Sequence, residues 1–264
     1  PGAVLTLPDT VLPPGLDAEE DRQACRALKG RLLRREVFAL DGSPREALPY
    51  TVSEANFDLR RLQPRHGKRP AVFLVTPREA LDFHYERDPR DPRISHALTL
   101  DTDDWGNVLR SAAIAYGRLA ADPSLSPQAR AEQARSLATC IENRFTLPLD
   151  DPDDWRSPVN FEQRSYEMLG LVTGFAQRPS VEGLRAALSA APVIGFDQPD
   201  PGSPARRLLG HARALRRRDD LTGALPDDQQ GRQGLAFESY RLALDDAQVA
   251  EHYTPQGIGA AELG

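Results

Sequence analysis

The stretch "ISHALTLDTDDWGNVLRSAAIAY", residues 94–116, constrains the fold more than any other. Ile94, His96, Leu98 and Leu100 alternate with polar or small residues, and Val108, Ala112, Ile114 and Tyr116 resume the same phase. A helix would scatter that set around its cylinder, whereas a strand puts it on one face. Between the two runs stand Asp103, Asp104, Trp105, Gly106 and Asn107. Gly106 and Asn107 tolerate the positive φ that a tight reversal needs, so the segment is predicted to be a hairpin corner.

The acidity of that corner raises a second reading, a calcium loop. A 12-residue EF loop starting at Asp101 finds Asp103 and a glycine at its sixth position, Gly106. Its twelfth position requires a bidentate carboxylate and holds Ala112, and both flanks have strand period where helices are required. Asp103, Asp104, Gly106 and Asn107 are therefore assigned to a structural turn, with no metal.

The same alternation extends upstream. In "REALDFHYER", Glu79, Leu81, Phe83 and Tyr85 share one face and Arg78, Asp82, His84 and Glu86 the other, so Glu79 is the one charge on the apolar side. "EVFAL" reads as a strand, "DGSPREALP" as a turn-rich link, and "YTVSEANFDLRRLQPR" as a strand with a bulge near Glu54 and Ala55. Residues 37–117 thus form the clearest antiparallel meander.

Helices are few and short. In "GLDAEEDRQACRALKGRLL", Asp17 is placed to cap, Glu19 and Glu20 suit the first turn, and Gly30 suits the stop. "SPQARAEQAR", "SVEGLRAALSAA" and "DAQVAEHY" are the other helical segments. "SLATCIENRFT", "PVNFEQRSYEMLGLV" and "LAFESYRLALD" read as strands, and "PARRLLGHARALRRRDDLTG" fits either period. "LPLDDPDDWRSP" reads as a long surface loop, and residues 118–253 as mixed strands and short helices. The fold class expected is mainly β, an antiparallel meander of long strands with a few short helices.

Composition narrows function by exclusion. A formal charge of −6 lacks the basic excess of a nucleic-acid wrapper. Cys25 and Cys140, the only cysteines, are too few for a disulfide scaffold or a cysteine-rich zinc module, and nothing in the sequence says whether they pair. No apolar run reaches the ~20 residues of a membrane span, and "PGAVLTLP" lacks the marks of a signal peptide. Asp82, His84 and Glu86 could begin a metal site, but no second histidine-rich strand accompanies them, and an exposed strand face has the same pattern. His66, His96, His211 and His252 stand singly and read as surface or packing residues. P-loop, G-x-S-x-G, H-E-x-x-H and dinucleotide glycine patterns do not occur, and no sequence argument picks two carboxylates as a hydrolytic pair.

Several dispersed segments, in order, resemble the middle-to-C-terminal region of the B component of insecticidal Tc toxin complexes, the TcaC/TcdB type. They are "LPPGLDAEEDRQACRALKGRLLRREVFALDG", "PYTVSEANFDLRRLQPR", "FHYERDPRDPRISHALTLDTDDWGNVLRSAAIAYGR", "ENRFT", "RRRDDLTGALP" and "FESYRLAL". The resemblance covers about residues 12–253, with 1–11 and 254–264 as flanks. Asp103 to Val108 also resembles the D-x-x-G-N-V heart of an Rhs or YD repeat, a hairpin unit.

The resemblance implies a non-enzymatic structural role: part of a β-sheet shell in a secreted complex, enclosing the toxic effector segment of the C component. It implies the C component as partner and the A component through the rest of the B component, with no catalytic residue, cofactor, metal, nucleic acid or direct membrane insertion. The E-x-E pair of the ADP-ribosyltransferase domain carried by some relatives does not occur here. Two other classes stay open on the residues alone: a protein- or glycan-binding module using the acidic loops, and a carboxylate-dependent hydrolase.

Overall fold

The computed structural model describes residues 6–257; the ends of both flanking segments, and the start of the stretch weighed as a signal peptide, lie outside them. In chain order the elements are α1 (Ala18–Ala27), β1 (Arg34–Val37), β2 (Thr51–Gln63), β3 (Val72–His84), β4 (Arg93–Thr102), β5 (Val108–Ala115), α2 (Pro127–Ala134), β6 (Leu137–Phe145), β7 (Leu149–Asp151) and β8 (Asp154–Arg156). Then come β9 (Asn160–Leu169), α3 (Val181–Ala190), β10 (Val193–Ile194), β11 (Ala205–Arg216), β12 (Ala236–Arg241) and α4 (Asp246–His252). Ten strands share one sheet in the order β1-β2-β3-β4-β5-β6-β9-β11-β10, with β12 also on β11, and β7 pairs with β8 separately. The protein is mainly β, as its alternation predicts.

The chain divides into two compact units. The first takes the chain through Thr102, then Ser111–Ala138 and Val172–Arg185; the second takes Asp103–Arg110, Thr139–Leu171 and the chain from Ala186 onward. Three of the divisions cut through β5, β6 and α3, so the units are not separated by one stretch that composition could mark as a linker.

In the first unit β2 and β3 pair antiparallel from Thr51↔His84 to Gln63↔Val72. The expected bulge is present just past Ala55, but on the partner strand: Asn56 pairs with Glu79 and Phe57 with Pro77, so the extra residue is Arg78 on β3. The change of phase along β2 has a second cause, because both of its faces are covered. Val52 and Asn56 are buried on one face, while Phe57 and Leu59 pack against Ala24 of α1 on the other, with Leu12, Leu16 and Phe73 around them. A switch of buried face reads in sequence like a slip of register.

Helix α1 is held where its caps predict. Asp17 accepts from the backbone N–H of Glu19 and Glu20, both at 2.8 Å, and the Glu20 side chain returns to the Asp17 N–H, a complete capping box. Glu20 is 5% exposed and also takes Arg61 at 2.6 Å and the Arg65 N–H at 2.8 Å, fastening the helix to the end of β2. Gly30 has φ +81, past the helix end at Ala27.

The second unit places β9 between β6 and β11, all antiparallel, and β12 lies antiparallel on β11. The ambiguous segment is the strand β11. Three paired neighbours outweigh its helix-compatible pattern, because its side chains pack against β9, β10 and β12 on the sheet. The segment expected as a long loop is a hairpin: Leu149↔Arg156, Asp150↔Trp155 and Asp151↔Asp154 pair across Pro152 and Asp153. Arg232 reaches Asp154 at 3.2 Å and Asp151 at 3.6 Å, offsetting the like-charge repulsion that made the segment read as loop.

Glu162 of β9 is the polar centre of this unit. It is 4% exposed and meets Arg144 at 2.9 Å, Arg164 at 2.7 Å and His211 at 2.6 Å. Burial pushes its pKa up, but the hydrogen bonds from Arg144, His211 and Arg164 outweigh burial and leave it below the usual glutamate range. Cys25 is exposed and Cys140 buried, and neither is part of a disulfide.

Two stability predictions follow from this packing. A Cβ at Gly117 would lie 2.0 Å from the Ala134 carbonyl oxygen. Gly117→Ala is therefore expected to lower stability by roughly 2–4 kcal/mol; an unchanged urea midpoint would contradict the close approach. The depressed Glu162 pKa contributes stability that is complete above the unfolded-state value of about 4.3 and is lost as pH falls through the lower folded value. Glu162→Gln should cost about 2–3 kcal/mol at pH 7 and flatten the acid limb of a stability-against-pH curve. Parallel acid limbs for the two proteins would refute the assignment.

Candidate functional site

Three places carry the chemistry that the sequence singled out. The corner after β4 is fixed by one side chain. Asp103 Oδ1 accepts from the backbone N–H of Trp105 and of Asn107, both at 2.9 Å, and Oδ2 accepts from the Asn107 amide at 2.9 Å. The Asp103 N–H donates to the Asn107 carbonyl at 3.0 Å, and Gly106 takes φ +82. Asn107 does not need positive φ; its side chain and N–H serve Asp103 instead. Asp104 and Trp105 sit at the tip and are exposed. The Asp103 carboxylate that invites a calcium reading is here a backbone clamp, each oxygen accepting from N–H groups of the corner.

The second place is the charge on the apolar face. Glu79 is 5% exposed and lies beside His96, 1% exposed. His96 Nε2 is 3.2 Å from Glu79 Oε2, and its Nδ1 is 3.0 Å from the Tyr116 hydroxyl. The Glu79 N–H donates to Asn56 Oδ1 at 2.8 Å, and Asn56 Nδ2 donates to the Pro8 carbonyl at 2.9 Å and to Glu79 at 3.4 Å. The consistent proton arrangement puts N–H on Nε2 toward the carboxylate and lets Tyr116 donate to Nδ1. Strands β2, β3 and β4, with Tyr116 just past β5, each contribute one member. Their adjacency comes from register, which is why His96 reads from sequence as a solitary packing residue.

The order hydroxyl–imidazole–carboxylate is that of a nucleophilic relay, but its hydroxyl is wrong for the task. Burial raises the Tyr116 pKa well above that of a free phenol, so the relay does not generate phenolate. Tyr116 also packs edge-on against Phe175, ring centroids 5.2 Å apart, and Phe175 packs on Phe83 at 5.6 Å. The arrangement is a satisfied polar core.

The third place is a cleft of about 940 Å³ beside the start of β4, lined among others by His84, Asp88, Asp91, Arg93 and Arg118. Its charges are matched: Arg90 binds Asp88 at 2.6 Å, Arg118 binds Asp91 at 2.6 Å, and Arg93 pairs with Glu86. The Arg90 hydrogen bonds hold Asp88 well below the usual carboxylate range. The three residues weighed as a metal site are separated by these partnerships. Asp82 accepts from the Ser53 hydroxyl at 2.6 Å, Glu86 belongs to Arg93, and His84 is exposed. Among the described residues no group of three His, Cys, Asp or Glu side chains is placed to hold a metal ion.

The comparisons with known proteins bear on the chain as a whole. The family described as "Insecticide toxin TcdB middle/C-terminal region" matches residues 23–155. No curated protein matches. The crystal structure of TcdB2-TccC3 is similar over 96% of this chain, with 25% identity and a TM-score of 0.69. TcdB2-TccC3 without its hypervariable C-terminal region is similar over 94%, with 26% identity and a TM-score of 0.66. A mutant Photorhabdus luminescens Tc holotoxin pore is similar over 96%, with 25% identity and a TM-score of 0.68. The chain spans only 11–12% of the length of those chains. The family match over half the sequence, with a likeness of fold from end to end, shows that this chain belongs to the insecticide toxin TcdB middle/C-terminal region family.

Proposed function

We propose that the chain is a non-enzymatic wall segment of a secreted insecticidal toxin complex, forming part of a β-sheet shell around the toxic effector segment of a C component. In this reading it acts beside the C component and reaches the A component only through other parts of a B component. The observation that carries it is the likeness over 96% of the chain to a structure named for TcdB2 together with TccC3. That likeness covers far more of the chain than the family match, which ends at residue 155, and so supports the same reading for the second half.

The side-chain chemistry is that of a wall. Glu20, Glu79 and Glu162, the buried carboxylates, each face donors on neighbouring elements and tie backbone or side chains together. Asp103 clamps a corner. Internal cross-links of this kind satisfy the three buried carboxylates, although Arg207 Nε and Arg216 Nε on β11 are buried without a hydrogen-bond partner. Among the described residues no helix is long and apolar enough to cross a membrane.

The test uses a full-length B component carrying this segment, assembled with its C component. Leu81 is fully buried on β3, and Leu81→Asp puts a carboxylate into the sheet core. The variant complex is expected to lose protection of the effector segment against added protease, while Arg22→Asp, on the exposed face of α1, keeps it. Full protection and full C-component stoichiometry in the Leu81→Asp complex would overturn the shell reading.

A further inference from the structure

The two tryptophans of this chain are Trp105 and Trp155, fifty residues apart in sequence, and the second unit brings them together in space. Their ring centroids are 5.7 Å apart and the planes meet at 53°. Neither ring is used as core: Trp105 is 44% and Trp155 62% exposed. Each sits on a fixed corner. Trp105 is the tip of the Asp103 clamp, and Trp155 is on β8 of the short β7–β8 hairpin.

Carboxylates flank the pair in sequence and across the hairpin. Trp155 and Asp150 are cross-strand partners, so their side chains leave the hairpin on the same face with Cβ atoms about 5 Å apart. Asp150 is exposed, as are Asp104, next to Trp105, and Asp153 at the hairpin turn. Arg232 pairs with Asp151 and Asp154, which alternation puts on the opposite face of the hairpin from Trp155. The aromatic side of this corner therefore presents two indole faces and the Asp150 carboxylate.

We propose that the Trp105–Trp155 corner is a recognition site for a cationic polypeptide segment, with an arginine side chain as the group it captures. An indole face attracts a cation through its ring quadrupole, more strongly than Tyr or Phe does. Two rings tilted at 53° form an open angle that accepts a planar guanidinium against one face, with Asp150 beside it to take a forked hydrogen bond. A sugar ring stacks best on a flat aromatic shelf, and a tilted pair in mutual contact does not offer one, so the geometry favours the cation. The site does not depend on the shell reading, because it needs only that the second unit be folded.

The chain reports on its own site, since fluorescence excited at 295 nm comes from these two residues alone. An octa-arginine peptide titrated into the whole chain is expected to shift and saturate that emission, with octa-glutamate and chitohexaose giving no saturable change. Anisotropy of a fluorescein-labelled octa-arginine supplies affinities for variants that have lost a fluorophore. Trp155→Ala, Trp105→Ala and Asp150→Asn should each weaken binding roughly 3- to 30-fold. Asp246→Asn, an exposed acid on α4 and outside both tryptophan-bearing corners, should leave binding within about twofold. Unchanged melting curves are expected for all four variants. Equal losses in Asp150→Asn and Asp246→Asn, or full affinity in Trp155→Ala, would reduce the effect to general electrostatics and overturn the proposal. Saturable binding of chitohexaose that the tryptophan substitutions abolish would replace the cation with a glycan and overturn it equally.

Discussion

The backbone ladder between β2 and β3 decides more of the first unit than any other interaction. It runs from Thr51↔His84 to Gln63↔Val72 and fixes, through its register, which side chains of both strands meet. Because side chains alternate with period two, a slip by one residue would carry Leu81 and Phe83 to the outer face and bring Asp82 inside. The same register brings Asn56 opposite Glu79, and the pairing of β3 with β4 brings His96 beside them. The bulge at Arg78 is part of this arrangement. It lets Arg78 reach Asp58 at 2.9 Å and Glu182 of α3 at 2.5 Å while Glu79 stays inside.

Both units use buried charge in the same manner. In the first, Glu20 and Glu79 join elements distant in sequence; in the second, Glu162 gathers Arg144, Arg164 and His211 from three strands. A buried ion pair adds little net stability over a well-packed apolar pair, but removing one partner is expensive. Such centres therefore penalise wrong register more than they reward the right one. For a sheet of many similar strands, where shifted pairings would bury comparable apolar area, that penalty supplies specificity. Around the apolar core, seven arginines among the described residues, none of them buried, lie over aromatic rings at 5.0–5.9 Å.

Much of this was legible before any coordinates. The alternation of Ile94, His96, Leu98 and Leu100 corresponds residue for residue to the buried face of β4, and Asp17, Glu20 and Gly30 to the ends of α1. The misreadings have physical causes. The aspartates of residues 150–154 looked like a solvated loop because their counter-charge, Arg232, lies about 80 positions away. The bulge reads onto β2 while it lies on β3, because a strand covered on both faces loses its simple period, and only the pairing shows which strand holds the extra residue. The segment 205–216 could not be assigned because its arginines and leucines suit either period until neighbouring strands are present.

Sequence by itself determined the local facts: strand period, helix caps, the turn at Gly106, and the six ordered stretches that resemble the B component. These depend on side chains a few residues apart, whose preferences are set by backbone sterics and short-range hydrogen bonds. Only the tertiary structure decided the juxtapositions. It joined Glu79 to His96 and Tyr116, closed Arg144, Arg164 and His211 around Glu162, and stood Trp105 against Trp155 at 5.7 Å. Those meetings follow from strand order and register, which are properties of pairs of segments, and no single segment carries the information that selects its partner.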